Sequence, residues 1–359
     1  MSAAAAAMAV LSILDIGLAA AATSWQIGTD FRLPYAAAEI GLRQGWSHMY
    51  DPDLQRSAVL ALGHSDLFQP YLNIPVWAFL VAPMTSIPYP VAYAIWVAAM
   101  VSALLAAALL AAPPDRLVRI IYVGAAFGSL DVALGPGFGQ PSALVALAIV
   151  ACWRLLRAGR PALAGLALAL MTVKPHIALL APFALLLAGH LRTFTYWAAA
   201  VLALAVISLL ALQTSGLEQY FALLATSSSY TVGQPSWTPV GMLGASAGVP
   251  VEAVFVAGAA TAAWLYRHRG PEVPIAVGIV ATLAVVPYLH AQDFVVLMVA
   301  IWLLHRAHLE QLDGRWLAAF WVAATLGIEW PPLMIVAEAT LLGHLIYMEV
   351  GRRRSLQPG

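Results

Sequence analysis

Long apolar runs recur along the chain, at roughly 3–23, 89–111, 117–134, 140–157, 161–173, 175–189, 194–213, 249–266, 273–290, 292–306, 316–331 and 332–348. Most approach the length of about 20 residues that a helix needs to cross the hydrocarbon core. Short polar links separate them. The pattern predicts an all-α integral membrane protein with about twelve transmembrane helices, folded as a single polytopic domain over residues 1–359.

Three stretches break the rhythm. Residues 24–69 carry Asp30, Arg32, Glu39, Arg43, Asp51, Asp53, Arg56 and Asp66. Within them Phe31 to Leu42 and Leu54 to Leu62 mix apolar and charged residues at helical spacing, which predicts a long first outer loop with interfacial helices. Residues 70–88 hold Pro70, Pro75, Pro83 and Pro88, and are expected to form a re-entrant or interfacial segment rather than a span. Residues 214–247, rich in Ser, Thr, Gly and Pro, form a second outer loop. The Ala-rich start has no early Lys or Arg and carries Asp15 inside its apolar run. That favours an uncleaved first helix over a secretory signal peptide.

Composition narrows the class. Apolar residues make up 62% of the 359 and charged residues 9%, whereas a soluble domain has about 45–50% and about 25%. Seventeen basic and seventeen acidic residues cancel, so no attraction to nucleic acid is implied. One thiol, Cys152, can form no intramolecular disulfide. Thirteen arginines fall in links that alternate with the runs (Arg116/Arg119, Arg154/Arg157/Arg160, Arg192, Arg267/Arg269, Arg306/Arg315 and Arg352/Arg353/Arg354), against Arg32, Arg43, Arg56 and Lys174 for the opposite face. Short cytoplasmic loops are enriched in Lys and Arg. Both termini are therefore expected in the cytoplasm of a plasma (inner) membrane, with the second set of charges on the extracytoplasmic side.

On that outer side several polar residues come to the ends of runs: Asp30, Gln140, Lys174, His290 and Asp293. Lys174 is the only lysine, between runs of 13 and 15 residues. At 1.5 Å per residue each reaches only about 20 Å, short of the roughly 30 Å core, so the ammonium should lie below the outer surface. A buried cation is either one half of an ion pair, with Asp131 or another intramembrane carboxylate, or a docking point for an anion. Asp15, Asp131, Glu329 and Glu338 sit in apolar runs and are open to a proton-path reading. No His or carboxylate spacing marks a metal site; no cofactor is expected, and a divalent ion is left open.

In order along the chain, these patterns resemble glycosyltransferase family 87. The matching segments are Asp30-Phe31-Arg32-Leu33-Pro34-Tyr35-Ala36-Ala37-Ala38 with Gly45 and Met49-Tyr50-Asp51; Gly139-Gln140 opening a helix; Val173-Lys174-Pro175; Ser236 to Gly241; and Pro287-Tyr288-Leu289-His290 ahead of Asp293. Two positions depart from the family pattern, Gln69 to Pro75 in place of a Tyr-Pro-Pro run and Pro141 after Gln140.

The resemblance implies a GT-C-like architecture and an inverting hexosyltransferase that takes a sugar, mannose by family habit, from a polyprenyl-phosphate donor. The acceptor would be a hydroxyl of a glycolipid, glycan or other molecule on the extracytoplasmic face. It makes Asp30 the general base, Lys174, Arg32 and His290 the groups that hold the donor phosphate, and Tyr35, Gln140, Ser236 and Asp293 substrate contacts. The chemistry is consistent with so small a set, because a phosphate leaves as a stable anion and needs no second carboxylic acid, unlike glycoside hydrolysis. The alternatives are a secondary transporter or lipid-linked-oligosaccharide flippase using the intramembrane charges, a polymerase or ligase of surface polysaccharide, or a structural membrane protein. Internal repeats that would favour a transporter are not visible.

Overall fold

A computed structural model describes residues 2–23, 28–63, 68–226, 237–286, 289–309 and 312–355. Among them the secondary structure is entirely helical. The helices are α1 (Ser2–Thr23), α2 (Arg32–Gln44), α3 (Pro52–Ala61), α4 (Pro75–Val81), α5 (Tyr89–Ala111), α6 (Arg116–Phe127), α7 (Leu130–Phe138), α8 (Ser142–Arg157), α9 (Pro161–Ala169), α10 (Ala181–Leu187), α11 (Leu191–Thr226), α12 (Pro239–Leu243), α13 (Ala245–Leu265), α14 (Glu272–Val285), α15 (Val295–Arg306), α16 (Gly314–Glu329) and α17 (Pro331–Ser355). Where the chain leaves a polar link, an aspartate often starts the next helix: Asp51 accepts from the backbone of Asp53 and Leu54, Asp115 from Val118, and Asp313 from Arg315 and Trp316. Each carboxylate satisfies amides that have no helical partner and complements the positive helix end.

Among the described residues five helices are long and apolar enough to cross a membrane: α1, α5, α11, α13 and α17. The pair α6 and α7, bent by 61°, adds a sixth if counted as one. The remaining predicted runs fall on shorter helices, of 16 residues in α8, 14 in α14, 12 in α15 and 16 in α16. Twelve full-length spans are therefore not what the helix lengths give. The reason is local: run 161–173 ends in a 3₁₀ turn at Leu170–Val173, and run 175–189 opens with another at Pro175–Ile177. Run 292–306 likewise opens with the 3₁₀ turn Ala291–Phe294. Apolar character continues through these turns, but the helix does not.

In the first polar stretch, α2 and α3 occupy the two segments predicted to be helical. Residues 75–86 form α4 and a 3₁₀ turn, too short to span. The second loop is more ordered than its composition suggests, since α11 runs on to Thr226 past a kink at Gln213 (φ 56°). Its 36 residues are thus two helices joined at Gln213 rather than one straight rod. Its far portion packs on the first loop, with the Tyr220 and Tyr50 rings 4.7 Å apart.

The centre of the bundle is the α14–α15 hairpin. Residues Glu272 to Ala284 and Val295 to Leu304 are buried on every side, as expected for helices apolar all round. By contrast Ile13, Leu202, Leu210 and Val254 are at least 65% exposed. These outward residues on α1, α11 and α13 are the lipid-facing surface of an integral membrane protein. The charged residues separate to the two ends of the hairpin. At one end Trp153 Nε1 donates to Glu272 at 2.8 Å, Arg157 lies 3.5 Å from Glu272, and Tyr122 meets His305 at 2.6 Å. The turn joining α14 to α15, with His290 and Asp293, lies at the other.

Candidate active site

Four distant segments meet at the α14–α15 turn. The first is the loop after α1. Asp30 and Phe31 donate their backbone N–H groups to the Phe138 carbonyl at 3.1 and 3.3 Å. The approach depends on Gly139 (φ +84°): a Cβ there would stand 2.5 Å from the Cβ of Phe31, so only glycine admits both the backbone angle and the contact. α5 supports the junction from beneath, with Trp96 Nε1 donating to the Gly139 carbonyl at 2.7 Å and Tyr93 to that of Gly137 at 2.5 Å. The carboxylate of Asp30 is thus placed by backbone contacts from α7 rather than by its own helix.

A single polar chain then runs inward. Gln140 Nε2 donates to Asp30 Oδ2 at 2.6 Å, and Lys174 Nζ donates to Gln140 Oε1 at 2.7 Å. Lys174 also donates to Asp293 Oδ1 at 2.5 Å and to Ser142 Oγ at 3.4 Å, while Ser142 itself donates to Asp293 Oδ1 at 2.7 Å. The other carboxylate oxygen, Oδ2, accepts from the His290 backbone N–H at 3.1 Å and lies 3.8 Å from His176 Nε2. The His290 side chain returns the bond by accepting from the Asp293 backbone. Asp293 is fully buried and Lys174 nearly so, whereas Asp30 is half-buried and His176 keeps 26% of its side chain exposed. The network has a closed floor and a more open rim.

Electrostatics follow that gradient. Burial alone would raise the Asp293 carboxyl, but Lys174 and His176 outweigh it and hold it well below the usual carboxylate range. Asp30 goes the other way. Burial raises it above the ordinary value, and the Gln140 hydrogen bond with the charges of His290 and Lys174 offsets only part of the rise. Burial and the Lys174 charge lower the His290 imidazole. The site therefore pairs a carboxyl held low at its floor with one raised toward its rim.

This arrangement alters several expected roles. Asp30, Gln140, Lys174, His290 and Asp293 do come together. Lys174, however, is not a waiting cation. An ammonium has three N–H donors, and all three are directed to Asp293, Gln140 and Ser142, so the ion-pair reading of this lysine holds and none is left for a phosphate. Asp293 and Gln140 are both bonded to Lys174, Gln140 with one N–H of its amide on Asp30. Tyr35 lies outside the network: its hydroxyl donates to the Ile87 carbonyl at 2.8 Å, within an aromatic cluster with Phe31 and Tyr89. Arg32 is buried with its guanidinium 6.0 Å from the Tyr89 ring, two residues from Asp30. Ser236, Pro287 and Tyr288 lie outside the described residues, as does the side chain of Asp131. Among the described residues no group of His, Cys, Asp and Glu is arranged to hold a metal.

Two members of the network were not singled out from the sequence. Ser142 stands two residues after Gln140, and His176 two after Lys174. Each could have been found by asking which polar neighbours of a candidate sit at the same helix break.

A family model described as glycosyltransferase family 87 matches residues 71–289, more than half of the chain. The match takes in Gln140, Ser142, Lys174 and His176; Asp30 and Arg32 precede it, and His290 and Asp293 follow directly after it. No curated protein and no solved structure matches the chain.

Proposed function

Because the chain belongs to glycosyltransferase family 87 and is a membrane glycosyltransferase, we propose that it moves a hexose, mannose by family habit, from a polyprenyl-phosphate donor to an acceptor hydroxyl. The reaction takes place at the end of the bundle that carries Asp30. One observation carries the reading: the hydrogen-bonded path from buried Asp293 through Lys174 and Gln140 to half-buried Asp30. It orients one raised carboxylate where four segments meet, as a general base requires.

In this reading Asp30 takes the proton of the acceptor hydroxyl while that oxygen attacks the anomeric carbon. The bond from that carbon to the phosphate oxygen breaks, its electron pair leaves with the phosphate, and polyprenyl phosphate departs. A single displacement inverts the anomeric centre. Lys174 acts as a positioning residue: it fixes which end of the Gln140 amide faces Asp30. Arg32 beside Asp30, His176 at the rim and His290 are the groups near Asp30 that would stabilise charge developing on the departing phosphate. The outer side is extracytoplasmic and both termini are cytoplasmic, with short helices pairing to complete some of the crossings.

The test is purified full-length protein in lipid bilayers, incubated with a panel of polyprenyl-phosphate sugars and a hydroxyl acceptor. Release of polyprenyl phosphate with one sugar, abolished by Asp30→Asn in a protein that still elutes as a folded species, is the expected result. Transfer from nucleotide sugars alone would overturn the donor, and near-normal turnover by Asp30→Asn would overturn the base.

A further inference from the structure

The opposite end of the bundle holds a second polar constellation that the reaction does not use. Glu349, near the end of α17, is 1% exposed and binds three arginines. Arg352 reaches it at 2.5 and 3.0 Å, Arg353 at 3.1 Å and Arg269 at 3.4 Å. Three guanidinium groups against one carboxylate leave two positive charges in excess. Arg353 is further committed to the Leu265 carbonyl, whereas Arg269 and Arg352 line a pocket of about 280 Å³ together with Tyr266, His308, Leu309, Met348 and Glu349 itself, whose carboxylate the arginines neutralise. That volume is close to the lower end of ligand pockets, about 300 Å³.

Two further features belong to the same place. His308 holds a left-handed backbone (φ 50°) just past the end of α15, at the pocket wall. Nearby, Trp264 and Tyr347 are 53% and 75% exposed, and Arg267 stacks 3.8 Å over the Trp264 ring. These aromatics sit near the ends of α13 and α17, both long enough to span. Exposed Trp and Tyr at span ends mark the headgroup level of a bilayer. A basic pocket between span ends at that level suits a lipid phosphate.

We infer that this pocket is a binding site for the phosphate of an anionic phospholipid in the leaflet on the arginine side. It lies at the far end of α15 from Asp293, a helix of 12 residues and about 18 Å, so it is distinct from the site of sugar transfer. Arg269 and Arg352 hold the phosphate oxygens, while Glu349 keeps the arginine fork in place. A free phosphate ion shares that chemistry, and the experiment separates the two.

The probe is the full chain in bilayers of equal phosphatidylglycerol and phosphatidylcholine, extracted gently, with retained lipids counted by native mass spectrometry. At about a kcal/mol per arginine near an anionic surface, two arginines predict at least a tenfold preference for phosphatidylglycerol. Arg269→Ala/Arg352→Ala should abolish the preference, and Arg116→Ala/Arg119→Ala, at other arginines, should leave it intact. Should the double variant not fold, Arg269→Ala alone leaves Glu349 its two closer arginines and should lower the preference about fivefold. Equal retention of the two lipids by the wild type would overturn the proposal, as would an undiminished preference in either Arg269 variant. Complete displacement of phosphatidylglycerol by millimolar inorganic phosphate would assign the pocket to the free ion and overturn the lipid.

Discussion

Replacing Gln140 by alanine tests the tuning of Asp30 directly. The amide donates to Asp30 Oδ2 at 2.6 Å, and its orientation is set by Lys174 on the other end. It is a force that draws the Asp30 carboxyl back down against the rise caused by burial. A hydrogen bond to a charged group contributes about 1.5–3 kcal/mol. At 1.36 kcal/mol per pKa unit, its loss raises the carboxyl by about 1–2 units. A base works only when ionised, so activity is lost as pH falls through that pKa, and a higher pKa brings the loss on earlier. The acid limb of kcat/KM for sugar transfer should therefore move to higher pH by about 1–2 units in Gln140→Ala. On the alkaline plateau the loss should be much smaller. The assay is polyprenyl-phosphate release at fixed donor across pH 5 to 9, wild type beside variant. A limb that stays where it was, with the plateau lowered equally at every pH, would show that Gln140 does not act through Asp30.

Lys174→Met should be destabilising, since it strands the fully buried Asp293 carboxylate. Breaking one side of such a pair costs about 3–5 kcal/mol, and Lys174→Met/Asp293→Leu should recover the thermal midpoint without recovering transfer; a single variant as stable as wild type would refute the pairing argument. Glu338 on α17 is 1% exposed and its carboxyl oxygens meet no hydrogen-bond partner among the described residues, so Glu338→Leu should stabilise by about 1–3 kcal/mol, and a lower midpoint would contradict that. A reporter fused after Gly359 should signal cytoplasm; a periplasmic signal would reverse the proposed orientation.

Much of this was legible from hydropathy and charge alone, for physical reasons. Apolar runs mark what must be kept from water, so α5, α13 and α17 lie close to their predicted positions. The arginine count placed Trp153's neighbours Arg154 and Arg157 opposite Lys174, and the two groups do occupy opposite ends of α8 and the α14–α15 hairpin. Helix length was less legible, because Leu170 to Val173 and Ala178 to Leu180 are as apolar in a 3₁₀ turn or a bend as in an α-helix. Ion pairing was hidden for a different reason. Lys174 and Asp293 are 119 positions apart, and a hydropathy profile says which level of the bilayer a residue occupies but not its neighbour around the bundle.

The shortened helices and the polar network have a common cause. Backbone that leaves the helix within a membrane protein must find partners other than water. At Phe138–Gly139 the freed carbonyls accept from Asp30, Phe31 and Trp96. Beyond Lys174 the Leu180 N–H is taken by Thr282 Oγ1 at 2.9 Å, and at the α14–α15 turn Asp293 and His290 satisfy one another. Three breaks that would each be costly alone are stacked at the same level, where side chains of one can serve the backbone of the next. That arrangement makes a locally polar interior, and in such an interior the Lys174–Asp293 pair is tolerable where it would not be among aliphatic side chains. The charges at the site and the interruptions in its helices are thus mutually dependent. Restoring a continuous helix through Pro175, for example by Pro175→Ala, should straighten α9 toward α10 at the expense of the Lys174 contacts. It should lower transfer through loss of Asp30 orientation, seen as an acid limb displaced in the same direction as in Gln140→Ala; an unmoved limb would separate the helix break from the tuning of the base.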